Sequence, residues 1–233
     1  MRFFLPRDNF QDSTIVLDDR DILHQITRVL RLRAGDAFVA LDNTGREYEV
    51  EIKSVGKNLL NGAIINVKEN QNEPACEVNL YQALPKKMDL FEMVLQKCTE
   101  IGVSHFVPIV TARGERDHVN NMERLLRIIR EAAEQSERGT LPTLVAPMLF
   151  RDAIKNDKNP LKLMAHARLE DTHMEYDFKA CKNLSIYVGP EGGFTNEEIE
   201  FALKQGANPI SLGPRILRTE TAAIALASKI LLS

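Results

Sequence analysis

The chain has 233 residues and a net charge of −3, from 30 Lys and Arg against 33 Asp and Glu, so it is long enough for one large or two modest domains and carries no global basic field. Its 44% hydrophobic and 27% charged residues, with 12 glycines and 10 prolines, exclude collagen-like, disordered and disulfide-scaffold classes. Any nucleic-acid partner must be held by local patches, and Cys76, Cys98 and Cys181, with no Cys-x-x-Cys spacing, give no zinc knuckle or redox pair, so no metal is expected.

The first third reads as short strands. An apolar strand is expected over 14–17, and another over 37–41 after the turn signal Ala34-Gly35-Asp36. Beyond the turn cluster Asp42-Asn43-Thr44-Gly45, the residues Tyr48, Val50 and Ile52 alternate with Glu47, Glu49 and Glu51, the period of a half-buried strand. A further strand is expected over 58–67. One helix interrupts them, with Ile22, Leu23, Ile26, Val29 and Leu30 on one face and Asp18 or Asp19 as cap. Several short strands in about 70 residues predict a small barrel. The polar stretch from Lys68 to Pro74 marks a domain boundary, giving domains over 1–70 and 74–233.

After that boundary strand and helix alternate. Strands are expected over 77–84, 105–110, 161–165, 184–188 and 209–212, and helices over 89–101, 119–136, 195–205 and 219–232. Inward positions include Leu90, Met93, Val94, Leu95 and Cys98 on the first helix, and Met122, Leu125, Leu126, Ile129 and Ala133 on the second. The alternation predicts an α/β domain with a mainly parallel sheet covered on both faces. The N-terminal segment reaches charge and proline too soon for a secretory signal, and the apolar run over 222–232 carries Ser228 and Lys229, so a cytoplasmic protein off the membrane is expected.

Ligands of open α/β sheets bind beyond the carboxyl ends of the strands, and two such ends are unusual here. The first is Gly189-Pro190-Glu191-Gly192-Gly193-Phe194-Thr195, whose glycines admit close backbone approach and positive φ. Thr195 and Glu198 then form a capping-box pattern. The loop lacks the lysine of a phosphate-binding P-loop and is not Gly-x-Gly-x-x-Gly; Glu191 would repel phosphate, so a neutral or cationic ligand suits it better. The second is Leu212-Gly213-Pro214-Arg215-Ile216-Leu217-Arg218-Thr219-Glu220-Thr221-Ala222, where apolar walls interleaved with charge fit an adenine-type ring.

These two loops, about twenty residues apart, resemble the RsmE family, the 16S ribosomal RNA uridine-N3 methyltransferases of the SPOUT superfamily. The likeness extends to Arg2-Phe3-Phe4, to the run from His24 to Arg31 with Gly35-Asp36, to Lys87-Met88-Asp89, to the run from Gln96 to Gly102, and to that from Glu131 to Ser136. The resemblance implies a PUA-like β-barrel joined to a SPOUT domain with a deep C-terminal trefoil knot, a rare exception to unknotted topology. It also implies a homodimer and a knot site for S-adenosylmethionine, with Leu163, Met164, Ala165 and His166, Gly189, Pro190, Glu191, Gly192 and Gly193, and Leu212, Gly213, Arg215, Ile216 and Leu217 contacting the donor.

Methylation at uridine N3 requires the base in line with the donor methyl and its proton removed. Arg218 is the candidate for stabilising charge on the uracil carbonyls, and Glu191 or Glu220 for accepting the proton; for Glu220, complementing a helix dipole is an equal alternative. Glu170, just after a strand expected at the donor site, is a weaker candidate. RNA contact is expected from Arg28, Arg31 and Arg33, which lie in a stretch over 22–35 without an acid, joined by Arg2 and Arg7, and from Lys86, Lys87, Arg113 and Arg116 flanking the cleft. His24 is expected to pack or hydrogen-bond, and Gln135 and Arg138 to cap structure or touch RNA. The implied partner is 16S ribosomal RNA or the small ribosomal subunit. Competing readings are a ribose 2′-O or transfer-RNA methyltransferase of the same superfamily, and a non-catalytic RNA-binding assembly protein.

Overall fold

The computed structural model describes residues 1–166 and 177–232, so Glu170 lies outside the described residues. Two units emerge: Met1–Glu73 with Ala133–Leu141, and Pro74–Ala132 with Pro142–Ser233. Residues 133–141 belong with the first unit rather than with their neighbours in sequence. Ala133 packs with Phe4 and Leu41, Glu134 Oε1 accepts from the Phe4 N–H at 2.9 Å, and Asn43 Oδ1 accepts from the Leu141 N–H at 2.6 Å. Such tertiary contacts leave no trace in periodicity.

The first unit is a six-stranded sheet built from β1 (Arg2–Phe4), β2 (Phe10–Gln11), β3 (Thr14–Leu17), β4 (Ala37–Leu41), β5 (Arg46–Val55) and β6 (Leu60–Glu69), in the order β1-β4-β5-β6-β3-β2. All pairings are antiparallel except β1 with β4. Val50 and Ile52 are fully buried, as the alternation on β5 requires. Glu47, on the other face, is nonetheless buried, with Arg2, Lys68 and Asn70 closing over it. Burial alone would raise its carboxyl; the bonds from Asn70 and Lys68 and the charge of Arg2 outweigh that and lower it. Asp19 is the cap of α1 (Arg20–His24), accepting from the Asp21 and Ile22 N–H groups. The expected helix is half α and half π: residues Gln25–Val29 form a π turn, whose wider period swings Val29 out to 63% exposure while Ile26 stays buried. His24, expected to pack or hydrogen-bond, is exposed.

The second unit holds β7 (Glu77–Ala83), β8 (His105–Val110), β9 (Thr143–Leu144), β10 (Met148–Leu149), β11 (Leu161–Ala165), β12 (Asn183–Val188) and β13 (Ala207–Ile210). The order is β10-β8-β7-β12-β11-β13, with β9 also on β8, and every pairing is parallel. Its helices are α2 (Met88–Ile101), α3 (Met122–Gln135), whose last turn passes into the first unit, α4 (Phe150–Asn156), α5 (Asn196–Lys204) and α6 (Thr219–Leu231). Strand alternation splits the core in two. Leu80, Leu163 and Ile186 pack on one face with Phe91, Leu95, Leu226 and Ile230 of α2 and α6. Tyr81, Met164 and Tyr187 pack on the other with Phe150, Ile154 and Ala202 of α4 and α5. Met93 and Leu126, expected inward, are 44% and 45% exposed, each at the rim of its helix's apolar stripe.

Candidate active site at the carboxyl ends of the parallel strands

Because the strands of the second unit run parallel, the segments leaving β7, β8, β11, β12 and β13 emerge on one edge, and they enclose a cleft of about 880 Å³. The segment after β12 is held by four specific contacts. Gly193 has φ 65, the left-handed region that favours glycine, and its N–H closes a turn on the Pro190 carbonyl at 2.8 Å. Arg113 Nη1 donates to the carbonyls of Gly192, at 2.9 Å, and Phe194, at 3.2 Å. A side chain on Gly192 would begin 3.3 Å from Arg113 Cβ, so the glycine admits the arginine that fixes the loop. Glu191 Oε1 accepts from the Lys86 N–H at 3.1 Å, and Arg116 Nε donates to the Lys86 carbonyl at 2.7 Å, holding the backbone of Lys86 at both its amide and its carbonyl.

The loop then enters α5 through the expected capping box: Thr195 Oγ1 accepts from the Glu198 N–H and Glu198 Oε2 from the Thr195 N–H. Glu198 Oε1 also accepts from Ala112 N–H at 2.8 Å. The segment after β13 leads into α6, whose cap is Arg218 with its side chain exposed. Thr219 Oγ1 donates to the Gly189 carbonyl at 2.6 Å and accepts from Gln82 Nε2 at 2.9 Å, so β7, the glycine loop and α6 share one buried junction. Glu220 is buried in the first turn of α6, where the helix dipole favours an anion. Ile216 stands 71% exposed over the cleft beside Leu212 and Leu217.

Ala165, His166, residues 189–193, Leu212, Gly213, Arg215, Ile216, Leu217, Arg218 and Glu220 all line the cleft, as do Lys86, Lys87 and Arg113. Leu163 and Met164 do not: as interior residues of β11 they are buried in the two cores. Arg113 and Arg116, expected on RNA, spend donors on loop carbonyls. In the first unit Arg2 turns inward, 15% exposed, to Glu47 and Glu137, and Arg138 pairs with Glu73 at 2.9 Å. Arg7, Arg28, Arg31 and Arg33 are exposed, and Arg31 adopts φ 59 just beyond the π turn. Asp89, Asn196, Ile199 and Thr219 also line the cleft without having been assigned to the site; Asp89 and Thr219 lay inside quoted motifs, whereas Asn196 is an ordinary first-turn helix residue by sequence. No cluster of potential metal ligands occurs among the described residues, and no helix among them is long and apolar enough to cross a membrane.

Residues 71–231 match the model of an RNA methyltransferase domain and residues 17–65 that of an RNA methyltransferase PUA domain. The ribosomal RNA small subunit methyltransferase E of Synechocystis is 35% identical over 97% of this chain and 76% of its own. That of Mesomycoplasma hyopneumoniae is 36% identical over 98% of this chain and 97% of its own. The crystal structure of the Neisseria gonorrhoeae ribosomal RNA small subunit methyltransferase E bound to S-adenosyl methionine superposes with a TM-score of 0.89, at 28% identity over 98% of this chain and 95% of its own. Fold, cleft and matches together define the class: a methyltransferase domain of the RNA-modifying kind with a PUA domain before it. Within that class, the chain belongs to the ribosomal RNA small subunit methyltransferase E family, RsmE.

Proposed function

We propose that this protein transfers a methyl group from S-adenosylmethionine to N3 of a specific uridine in 16S ribosomal RNA of the small ribosomal subunit. The observation that carries the reading is the convergence of the glycine loop and the 212–220 segment on one cleft at the strand ends. The residues there fit the donor. Leu212, Ile216 and Leu217 give apolar walls for an adenosyl group, backbone at 189–193 permits close approach, and the Glu191 and Glu220 carboxylates suit a cationic sulfonium. Ala165 and His166 would close the side at β11. When bound, that group supplies an electrophilic methyl.

The protein's own task is to present the uracil and manage its proton. Arg218, exposed at the mouth of α6, would hydrogen-bond the uracil carbonyls and stabilise the charge that develops as N3 is deprotonated. Glu191 and Glu220, two of the carboxylates lining the same cleft, would accept that proton, directly or through water. Arg28, Arg31 and Arg33 form the exposed basic surface of the first unit for the RNA backbone. We assign the chain to the cytoplasm and to a homodimer with a SPOUT trefoil knot and a barrel-like first unit. Two features support the knot and the dimer. The order β12-β11-β13 puts both later strands beside β11, and the packed pair α2 and α6 leaves Met93 and Leu232 uncovered.

Calorimetric titration with S-adenosylmethionine tests the site. The parent protein is expected to bind, and Gly192→Trp, which drives a bulky side chain against Arg113, and Leu217→Asp, which charges an apolar wall, are expected to abolish binding. Mapping the methylated base in small-subunit ribosomal RNA then tests the target. Methylation of a ribose hydroxyl or of transfer RNA overturns the N3 assignment, and no donor binding with or without RNA overturns the enzyme reading.

A further inference from the structure

A second concavity, of about 720 Å³, lies wholly within the first unit, and Arg28, Arg31 and Arg33 are not among its lining residues. Two half-buried rings form its wall: Phe10 of β2 and Tyr48 of β5, with centroids 4.8 Å apart at an interplanar angle of 57°. Two exposed guanidiniums, Arg7 and Arg46, stand at its rim, and neither forms an ion pair among the described residues. Asp42 also lines the concavity, with both carboxylate oxygens held by neighbouring donors. Its Oδ1 accepts from the Thr44 N–H at 3.0 Å and the Thr44 hydroxyl at 2.6 Å, and its Oδ2 from the Tyr48 hydroxyl at 3.0 Å. The remaining carboxylate is that of Glu69, exposed at the end of β6 opposite Arg46 in register.

Aromatic faces flanked by exposed guanidiniums have a specific complement. A base stacks on the rings and its phosphates meet the arginines, while a carboxylate at the edge accepts from base N–H groups. A fully duplexed strand does not offer this, because its bases are stacked on one another. We infer that this concavity holds one unstacked nucleotide of the RNA strand. The inference rests on the proposed RNA-methylating function and adds to it a second, sequence-separated grip on the substrate.

Filter binding of the full protein to transcribed small-subunit ribosomal RNA, over a range of salt concentrations, tests it. For the double variant Arg7→Gln, Arg46→Gln, the slope of log affinity against log salt is expected to flatten by about 1.4, two single-strand phosphate contacts of about 0.7 each. Phe10→Leu keeps an apolar side chain over the core but removes the ring, and is expected to weaken binding about tenfold with the slope unchanged. The arginine pair is solvent-exposed, so its variant keeps the test valid even if Phe10→Leu fails to fold; retained S-adenosylmethionine binding by each variant reports an intact second unit. Unchanged affinity and slope in the variants, with a parent that binds and methylates, overturn the inference and leave the enzyme reading standing. A parent that binds no ribosomal RNA overturns both. Tight binding of uridine 5′-monophosphate alone, lost in the arginine variant, makes the concavity a free-nucleotide site and overturns the strand assignment.

Discussion

Arginine roles in this protein are decided by what the fold puts beside each guanidinium. Arg113 and Arg116 donate to loop carbonyls, Arg2 and Arg138 answer buried or half-buried carboxylates, and Arg218 alone among the cleft-lining arginines caps a helix. Its side chain makes no capping hydrogen bond, so removing it should cost the fold little. Arg218→Ala is therefore expected to slow methyl transfer by about 10²- to 10³-fold, the usual loss for a donor aimed at developing charge, while S-adenosylmethionine affinity stays unchanged. Single-turnover methylation of small-subunit ribosomal RNA, alongside calorimetry of the donor, checks both halves. A parallel loss of donor affinity would move Arg218 from the uracil to the donor.

At the scale of elements, the capping box at α5 joins the glycine loop to the rest of the domain. Thr195→Ala removes the acceptor for the Glu198 N–H and is expected to cost about 1 kcal/mol of stability. Urea denaturation measures it, and an unchanged midpoint would show that Glu198, through Ala112 and Thr195 N–H, holds the turn by itself. This box was legible from Thr195 and Glu198 because a cap is local chemistry, and so were the long strands and helices, whose apolar spacing repeats several times. What repeats once or not at all was lost. The strands β2, β9 and β10 have two residues each, and α4 offers only Phe150, Ala153 and Ile154 as an apolar face, with no side-chain cap. The π turn at Gln25–Val29 looked α-helical because Ile22, Leu23, Ile26, Val29 and Leu30 fit a 3.6-residue period. The cleft was legible through the two unusual loops. Asp89 of α2 was quoted in the Lys87-Met88-Asp89 run without a role, and Asn196 of α5 gave no signal, since the topology alone brings them there.

On the scale of the whole molecule, the chain enters its first unit twice, and one carboxylate gathers three of the contacts that fasten the return. Glu73 Oε1 accepts from the Gly139 and Thr140 N–H groups at 2.9 and 3.1 Å, and Oε2 meets Arg138 Nη2 at 2.9 Å. Burial alone would raise the Glu73 carboxyl; the Arg138 hydrogen bond and charge, with the two N–H groups, outweigh burial and hold it below its ordinary value of 4.5. A carboxyl depressed in the folded state binds its proton more readily when unfolded. Its contribution to stability is therefore complete above the unfolded value and lost as pH falls through the folded one. Glu73→Gln keeps the shape but removes the charge beside a guanidinium whose side chain is 4% exposed. The expected cost at neutral pH is on the order of 2 kcal/mol, below that of breaking a fully buried pair because the Glu73 side chain is itself 28% exposed. The gap between parent and variant in chemical denaturation should hold steady from pH 8 to about pH 5 and close as the pH drops below about 4.5. A gap that stayed constant through that acid range would mean that the hydrogen-bond geometry at Gly139 and Thr140, rather than the charge of Glu73, fastens residues 133–141 to the sheet.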